Sequence, residues 1–355
     1  MRILLINFEM NEDSGVLAWQ AHVAYSLAQK SEFVLVLTEK PGRYEKLSNM
    51  EVEVVPKRPY GIPRKLGSRW LFALNVALLC RRHRIDACFI HMNYTWSYVL
   101  YPVFKLLGIP VLTWYAHGRV SNALRATLFC SSRVVTSTPE GFRIRSPKVR
   151  VIGQGINTSL FKPSVEEKAG KHDLIYVGRV SRRKRIELLI SVMQLLTADP
   201  HTSRIKLKII GPLLTGDDII YERELRSQIT RFALQDKIEF YGSVPSDKIP
   251  LFYASVFLHL NVSKTGSMDK TVLESLACGC PVLTSNEAFF DFFKQYPDFI
   301  ITNDQPAAIA EQVIAHYNRK GTYPAGALRK FVEGKNDLYS YTDKILTNLS
   351  EIMAP

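Results

Sequence analysis

Two stretches of the chain bring together residue types suited to a phosphorylated ligand. The first is YVGRVSRRKRIELLISVMQLL, Tyr176 to Leu196. An apolar run ends at Gly178 and Arg179 follows. Arg182, Arg183, Lys184 and Arg185 then crowd the entry to a segment whose Ile186, Leu189, Ile190, Met193 and Leu196 fall on one helical face. Amides at a helix start lack intrahelical partners and carry partial positive charge. Cations are disfavoured there unless an anion shares the spot, so the spacing points to phosphate. A solvated basic turn is the plain alternative.

The second stretch is SKTGSMDKTVLESLACGCPVLTSN, Ser263 to Asn286. A loop containing Gly266 leads into a helix through Val272, Leu273, Leu276 and Ala277. The helix stops at Gly279, and Pro281 opens a strand. Glu274 on this helix can accept two hydrogen bonds from a ribose diol. Equally, it can be an ordinary helix-surface residue. Asp269 lies five positions earlier, which at ~100° per residue sets the two about 140° apart on a helix. Asp269 therefore either reads ligand hydroxyls from a loop that persists to it, or caps the helix.

The elements that must position these residues alternate strand and helix, twice over. Apolar runs at Arg2–Asn7, Phe33–Thr38, Glu51–Val55, Asp86–His91, Pro110–Tyr115, Arg133–Ser137 and Val149–Gly153 read as buried parallel strands. Helical patterns intervene, such as Val16–Gln29 and Arg69–Arg82. A polar linker-like stretch, Ser164–Asp173, follows, and the alternation restarts. Its strands are Asp173–Gly178, Ile205–Gly211, Lys237–Gly242, Val256–Asn261, Cys280–Thr284 and Asp298–Thr302. Asp337–Met353 closes the chain with a one-faced helical pattern. The expected fold is α/β, with two doubly wound domains that bind ligands outside the carboxyl ends of their strands.

Composition narrows the class. The 355 residues allow two ordinary domains. Five cysteines, an odd number without a Cys-x-x-Cys pair, argue against a disulfide framework or a zinc site and suit a reducing compartment. Ser97–Ala116 is apolar enough to span a bilayer, but Pro102, Lys105, Gly108 and Pro110 favour a helix, a turn and a buried strand. MRILLINF, followed by Glu9, Glu12 and Asp13, does not read as a secretory signal. A cytoplasmic chain is expected. Its net charge of +13 is uneven: residues 1–165 hold 22 Lys and Arg against 10 Asp and Glu, an excess of +12. Such a surface suits nucleic acid, an anionic membrane or an anionic substrate.

The two phosphate-handling stretches together resemble the retaining glycosyltransferases of family 4, which have the GT-B fold. Gly178, Arg179 and Lys184 match that family's Val-Gly-Arg-x-x-x-x-Lys stretch, which implies a grip on the donor diphosphate. Gly242–Ser263, with Gly242 and Val244, is similar to the segment beside the family's nucleobase pocket. Glu274, Ala277, Gly279, Pro281 and Val282 match its ribose-binding helix and the strand after it. His117, at the end of WYAHG, matches a histidine near the transferred sugar, and Gly153–Pro163 resembles the linker strand.

The resemblance implies two Rossmann-like domains facing a central cleft: residues 1–163 for the acceptor and 164–336 for the nucleotide-sugar donor. A helix, 337–355, crosses back to the N-terminal domain. It implies sugar transfer from a nucleoside-diphosphate-sugar to a hydroxyl, with retention and with neither cofactor nor metal. His117, Arg179 and Lys184 are then the catalytic candidates. Gly178, Gly242, Val244, Thr265, Gly266, Ser267, Met268, Asp269 and Glu274 are the donor-binding ones.

There are departures. Where the family carries a second glutamate, eight positions before the ribose one, this chain has Gly266, so backbone amides of residues 265–269 are expected to read the sugar. The first loop, NFEMNEDSG, offers only Gly15. Lys57–Arg84 alternates cations with Tyr60, Trp70, Phe72 and leucines, which suggests peripheral contact with an anionic membrane and a glycan or lipid-linked acceptor. A loop followed by a core helix is the plain alternative, and Trp70–Leu79 is expected to be mostly core. The competing readings are a nucleotide-sugar epimerase or hydrolase on the same fold, a non-catalytic sugar-nucleotide binder, and a nucleic-acid-binding protein. No nucleic-acid motif is present to support the last, and no nucleic-acid partner is expected.

Overall fold

The computed structural model describes residues 1–355 except 16, 56–65, 165–171, 265, 321 and 355, and gives no side chains for 66–70. Most of the linker stretch, Thr265 and the first part of the basic-aromatic segment therefore lie outside the described residues. The chain divides into two compact units, Met1–Gly155 with Leu338–Pro355, and Ile156–Asp337.

The N-terminal unit runs β1 (Arg2–Met10), α1 (Trp19–Lys30), β2 (Phe33–Pro41), β3 (Met50–Val54), α2 (Leu66–Arg82), β4 (Ala87–Ile90), α3 (Trp96–Val99), α4 (Tyr101–Leu107), β5 (Val111–Trp114), α5 (Asn122–Cys130), β6 (Arg133–Thr136) and β7 (Val149–Val151). Its seven parallel strands are ordered β3-β2-β1-β4-β5-β6-β7. β1 shows why its run is nearly all apolar. Ile3 and Leu5 enter the core on one face, beside α1, and Leu4 and Ile6 enter the core on the other. The long apolar stretch before Ala116 is cut by Gly108, whose φ of +67° ends α4 in the left-handed region. Among the described residues no helix is long and apolar enough to cross a membrane.

The C-terminal unit runs β8 (Asp173–Val177), α6 (Ile186–Ala198), β9 (Leu207–Ile210), α7 (Gly216–Arg231), β10 (Ile238–Gly242), α8 (Ile249–Ala254), β11 (Val256–Asn261), α9 (Lys270–Ala277), β12 (Val282–Thr284), α10 (Pro306–Asn318) and α11 (Ala325–Arg329). Its parallel sheet is ordered β10-β9-β8-β11-β12. Both sheets reverse direction of growth beside their first strand, at β1/β4 and at β8/β11, which is where doubly wound sheets open a crevice for ligands.

Two expectations need correction. Residues 156–163 pack with the C-terminal unit: Ile156 and Phe161 lie in its core, and Arg329 donates to the carbonyls of Phe161 (2.8 Å) and Thr158 (2.9 Å). The expected strand Asp298–Thr302 is a single bridge, Ile300 to Thr284, because Pro297 opens a 3-10 turn there.

The final helix, α12 (Leu338–Met353), belongs to the N-terminal unit. Its Tyr341, Ile345 and Leu349, spaced i, i+4 and i+8, are fully buried against the β1/α1 core. Truncating Ile345 to alanine would cost about 2–5 kcal/mol.

Candidate functional site

Three neighbouring strands of the C-terminal sheet run out into glycine. Gly178 follows β8, Gly211 follows β9 and Gly242 ends β10, with φ of +154°, +153° and +66°. Gly178 donates to the Ile210 carbonyl (2.9 Å), and Gly211 donates to that of Gly242 (2.8 Å). A Cβ on Gly211 would stand 1.8 Å from the Gly178 carbonyl oxygen, so the two backbones meet more closely than any side chain permits. Glycine here lets the chain turn sharply at the strand ends and lets Arg179 leave β8 at a fixed angle.

Arg179 is held by a fork. Its Nε donates to Asp218 Oδ2 (2.9 Å), and its Nη2 donates to Asp218 Oδ1 (3.1 Å) and to Thr215 Oγ1 (3.3 Å). Thr215 and Asp218 are the capping box of α7, so the helix cap and the arginine share one carboxylate. Burial pushes the Asp218 carboxyl up. Hydrogen bonds from Arg179 and from the amides of Leu214 and Thr215 outweigh it and hold the group below the usual carboxylate range. The Nη1 protons are left for another acceptor.

The basic turn beyond is a short 3-10 helix, Arg182–Lys184, ending at Arg185 in the left-handed region (φ +56°). Its four cations do not all face water. Arg182 pairs with Glu224, and Arg185 pairs with Asp304 (3.1 Å). Lys184, expected on an exposed loop, keeps only 19% of its side chain exposed and bonds Asp269 Oδ1 at 2.8 Å. The start of α6, expected to hold a phosphate, is already occupied. The hydroxyl of Tyr221 accepts from the amides of Ile186 (2.8 Å) and Glu187 (3.3 Å) and donates to the Glu187 carboxylate. A distal tyrosine caps this helix, which a local sequence pattern cannot show.

Asp269 sits at the N-cap position of α9 with extended backbone, yet its side chain makes no cap hydrogen bond. The capping expectation therefore fails. Its Oδ2 instead accepts from Asn261 Nδ2 (3.0 Å) and from the Ser263 hydroxyl, and Asn261 Oδ1 accepts from Thr284 Oγ1 (2.8 Å). Burial raises the Asp269 carboxyl, but Lys184, Ser263 and Asn261 together pull it below its ordinary value. These groups come from the carboxyl ends of β8, β11 and β12, so the ion pair stands at the reversal point of the sheet. On the same strand His259 is fully buried, without a hydrogen-bond partner. Burial lowers its pKa to about 3, so it stays neutral beside the pair.

Glu274 is partly buried on α9, and burial raises its carboxyl, opposed by Lys270 one turn before. Gly266 is buried with φ +68°, Met268 is core, Ser267 accepts from Asn286 Nδ2 through its carbonyl (2.8 Å), and Val244 packs partly buried under the same core. The C-terminal sheet thus gathers Gly178, Arg179, Lys184, Gly242 and the 266–274 stretch. His117 lies in the N-terminal unit, exposed, three residues beyond β5, with its ring edge-on to Tyr115 at 5.6 Å. Thr265 lies outside the described residues. Sequence reading missed Asp218, Tyr221, Asn261, Ser263 and Gly211. Two had a signal: Gly211, as the second of three apolar runs that each end in glycine, and Asp218, as the fourth residue of a Thr-x-x-Asp capping spacing before α7.

Residues 158–323 match the family Glycosyl transferases group 1. The fold is GT-B. The chain superposes on HepE of Anabaena, solved in complex with UDP and glucose, with a TM-score of 0.80, at 18% identity over 99% of both chains. It superposes equally on a sucrose-phosphate synthase from Thermosynechococcus elongatus, with a TM-score of 0.79 at 17% identity over 100% of this chain and 99% of that one. Among curated proteins it is similar to the alpha-monoglucosyldiacylglycerol synthase of Streptococcus pneumoniae, 24% identical over 46% of this chain and 38% of that one. It is also similar to the lipopolysaccharide core biosynthesis mannosyltransferase LpcC of Rhizobium leguminosarum, 24% identical over 50% and 49%. The matched segments span less than half of these relatives. The group 1 segment takes in every C-terminal candidate residue, from Gly178 to Glu274.

Proposed function

We propose that the chain is a glycosyltransferase that moves a sugar from a nucleoside-diphosphate-sugar to a hydroxyl acceptor, with retention of configuration. The observation that carries this reading is the Arg179 and Lys184 pair at the β8/β11 reversal point, inside the group 1 segment. Lys184 has three N–H donors and spends one on Asp269, and Arg179 keeps both Nη1 protons. Two cations already fixed by carboxylates can therefore meet a diphosphate without first losing side-chain freedom. As the bond from the sugar's anomeric carbon to the diphosphate oxygen breaks, negative charge grows on the leaving group, and these donors stabilise it.

Glu274 holds the ribose diol, and Gly178, Gly242 and Val244 leave room for the nucleotide. The helix start that serves the anion is α9, whose amides the Asp269 side chain leaves uncapped, rather than α6. Backbone amides of residues 265–269 read the sugar. His117 lies beside the transferred sugar. The reaction uses neither metal nor cofactor. The acceptor is a glycan or lipid-linked hydroxyl, and the chain works in the cytoplasm, peripherally on the inner face of a membrane.

The test is a thermal-shift screen against UDP, GDP, ADP and their sugars, followed by transfer assays with the stabilising donor. A ligand at a hundred times its dissociation constant adds roughly 2.7 kcal/mol. Stabilisation by one nucleoside diphosphate family, with sugar transferred and nucleoside diphosphate released only when an acceptor is present, is the expected result. Isomerised or hydrolysed donor without acceptor would replace this reading with the epimerase or hydrolase one.

A further inference from the structure

Four helices, α2, α3, α4 and α5, cover one face of the N-terminal sheet. Their buried side chains join Leu4, Ile6, Val111 and Val134, whose neighbours along each strand face the opposite core. The outward side of this layer departs from an ordinary protein surface. Leu106 on α4 and Phe129 on α5 are 81% and 73% exposed, the highest values of any large apolar side chain among the described residues. Leu71, Leu74 and Leu78 on α2 are also more than half exposed, so the expectation of a mostly core segment over Trp70–Leu79 fails from Leu71 on, and their spacing places them on one stripe. Apolar residues therefore line α2 on its outer side as well as its inner one, where Val76 and Cys80 are buried.

The charges on the same layer have one sign. The sequences of α2 to α5 contain no aspartate or glutamate, while Arg81, Arg82, Lys105 and Arg125 are all exposed. A solvated helix face carries both signs, and a face for nucleic acid carries cations without protruding leucines. Exposed leucine and phenylalanine set among cations, with no carboxylate on any of the four helices and Asp86 exposed at the edge of α4, match the interface of a bilayer that bears anionic headgroups.

We propose that the outer face of α2, α4 and α5 docks the chain on an anionic lipid bilayer, with the leucines and Phe129 in the acyl boundary and the cations among the headgroups. This rests on the membrane-side acceptor proposed above, and it names the surface that would bring the chain to it. The two can fail separately, because docking is measured without donor or acceptor. None of these side chains belongs to the nucleotide-sugar site.

The experiment is co-sedimentation of the full chain with vesicles of phosphatidylcholine alone or with about one third phosphatidylglycerol. Binding to the mixed vesicles is expected, weakened by salt, with little binding to the neutral ones. Leu74→Asp and Leu78→Asp should each lower the vesicle partition coefficient about tenfold or more, because each removes one inserted leucine and adds a repelled charge. Arg81→Glu with Arg82→Glu should lower it at least as far, at about fivefold per lost cation. Melting temperatures should stay near wild type, since all four positions are exposed, and transfer to a short soluble acceptor should not change. Absence of binding to mixed vesicles overturns the proposal, as does binding that survives these substitutions. A dimer in light scattering that Leu74→Asp dissociates, without vesicle binding, would assign the face to a second copy instead.

Discussion

The reversal point of the N-terminal sheet, between β1 and β4, is filled, and the buried Glu39 carboxylate beside it accepts from the Asn93 side-chain amide and from Trp96 Nε1 (3.3 Å). Asn7, Gln20 and His91 are fully buried there. Gln20 Oε1 accepts from the amides of Phe8 (3.1 Å) and Glu9 (2.9 Å), and the His91 ring packs among Trp19, Phe89 and Trp114 at 4.4, 5.3 and 6.2 Å. The matching point of the C-terminal sheet, between β8 and β11, holds the Lys184–Asp269 pair on a bed of Asn261, Ser263 and Thr284, with the Arg179–Asp218 fork beside it. The wiring is the same in both sheets, and the chemistry is not. Topology supplies a place at the strand ends, and the side chains planted there decide whether it is a packed joint or a cradle for charge.

Backbone substitutions should sharpen that contrast most. Gly211→Ala places a methyl onto the Gly178 carbonyl at a φ that L residues avoid, and should cost about 3 kcal/mol or more. Gly108→Ala in the N-terminal unit meets open space, so only its left-handed strain counts, about 1 kcal/mol. Urea unfolding of both variants measures the difference. Equal losses would mean the strand-end glycines of the C-terminal sheet are not held as closely as described.

Acid should separate the two units. Asp218, Asp269 and Asp304 in the C-terminal unit all titrate below the ordinary aspartate value of 3.8, so they add stability above it and lose it as pH falls through their folded-state values. In the N-terminal unit Asp13 is also lowered, by Arg43, but it is exposed and its pairing is screened by solvent. Glu39 is raised by burial, as Glu274 is in the C-terminal unit, so protonation of either glutamate favours the folded state and neither adds to the loss at low pH. All four tryptophans lie in the N-terminal unit. On titration below about pH 4, helical circular dichroism should therefore fall before tryptophan emission shifts. Tryptophan emission changing first would reverse the assignment.

A smaller effect concerns Asp269. Both of its oxygens are engaged within the protein, which leaves its side chain poorly placed to read a sugar. Asp269→Asn should lower stability by about 1–3 kcal/mol and leave the ratio of kcat/KM between two sugars on one nucleotide unchanged. A changed ratio with unchanged melting would return Asp269 to the sugar.

Much of the fold was legible because parallel strands buried on both faces must be apolar runs. Val256–Asn261 was read to the residue, and Tyr341, Ile345 and Leu349 marked the last helix by their period. The glycine after β8 and the basic turn were legible for the same local reason. What stayed hidden were partners distant in sequence: Asp218 lies 39 positions from Arg179, and Asp269 lies 85 from Lys184. Nothing in a cationic turn tells which of its four charges a carboxylate from another strand will claim. Pro297 likewise turned an apolar run, Phe299 to Ile301, into a bridge rather than a strand.

The central claim is that the charged reversal point takes the diphosphate of a nucleotide-sugar. Calorimetric titration of the matched nucleoside diphosphate, and of its nucleoside without phosphate, into wild type and Lys184→Ala tests it directly. Lys184→Ala also leaves the Asp269 carboxylate without its cation, so the variant is titrated well below its own melting temperature. The diphosphate's dissociation constant should rise about tenfold or more, the loss of one charge-assisted contact of roughly 1.5–3 kcal/mol, while the nucleoside's stays the same. Equal affinities of wild type and variant for the diphosphate, or parallel loss of both ligands, would contradict it.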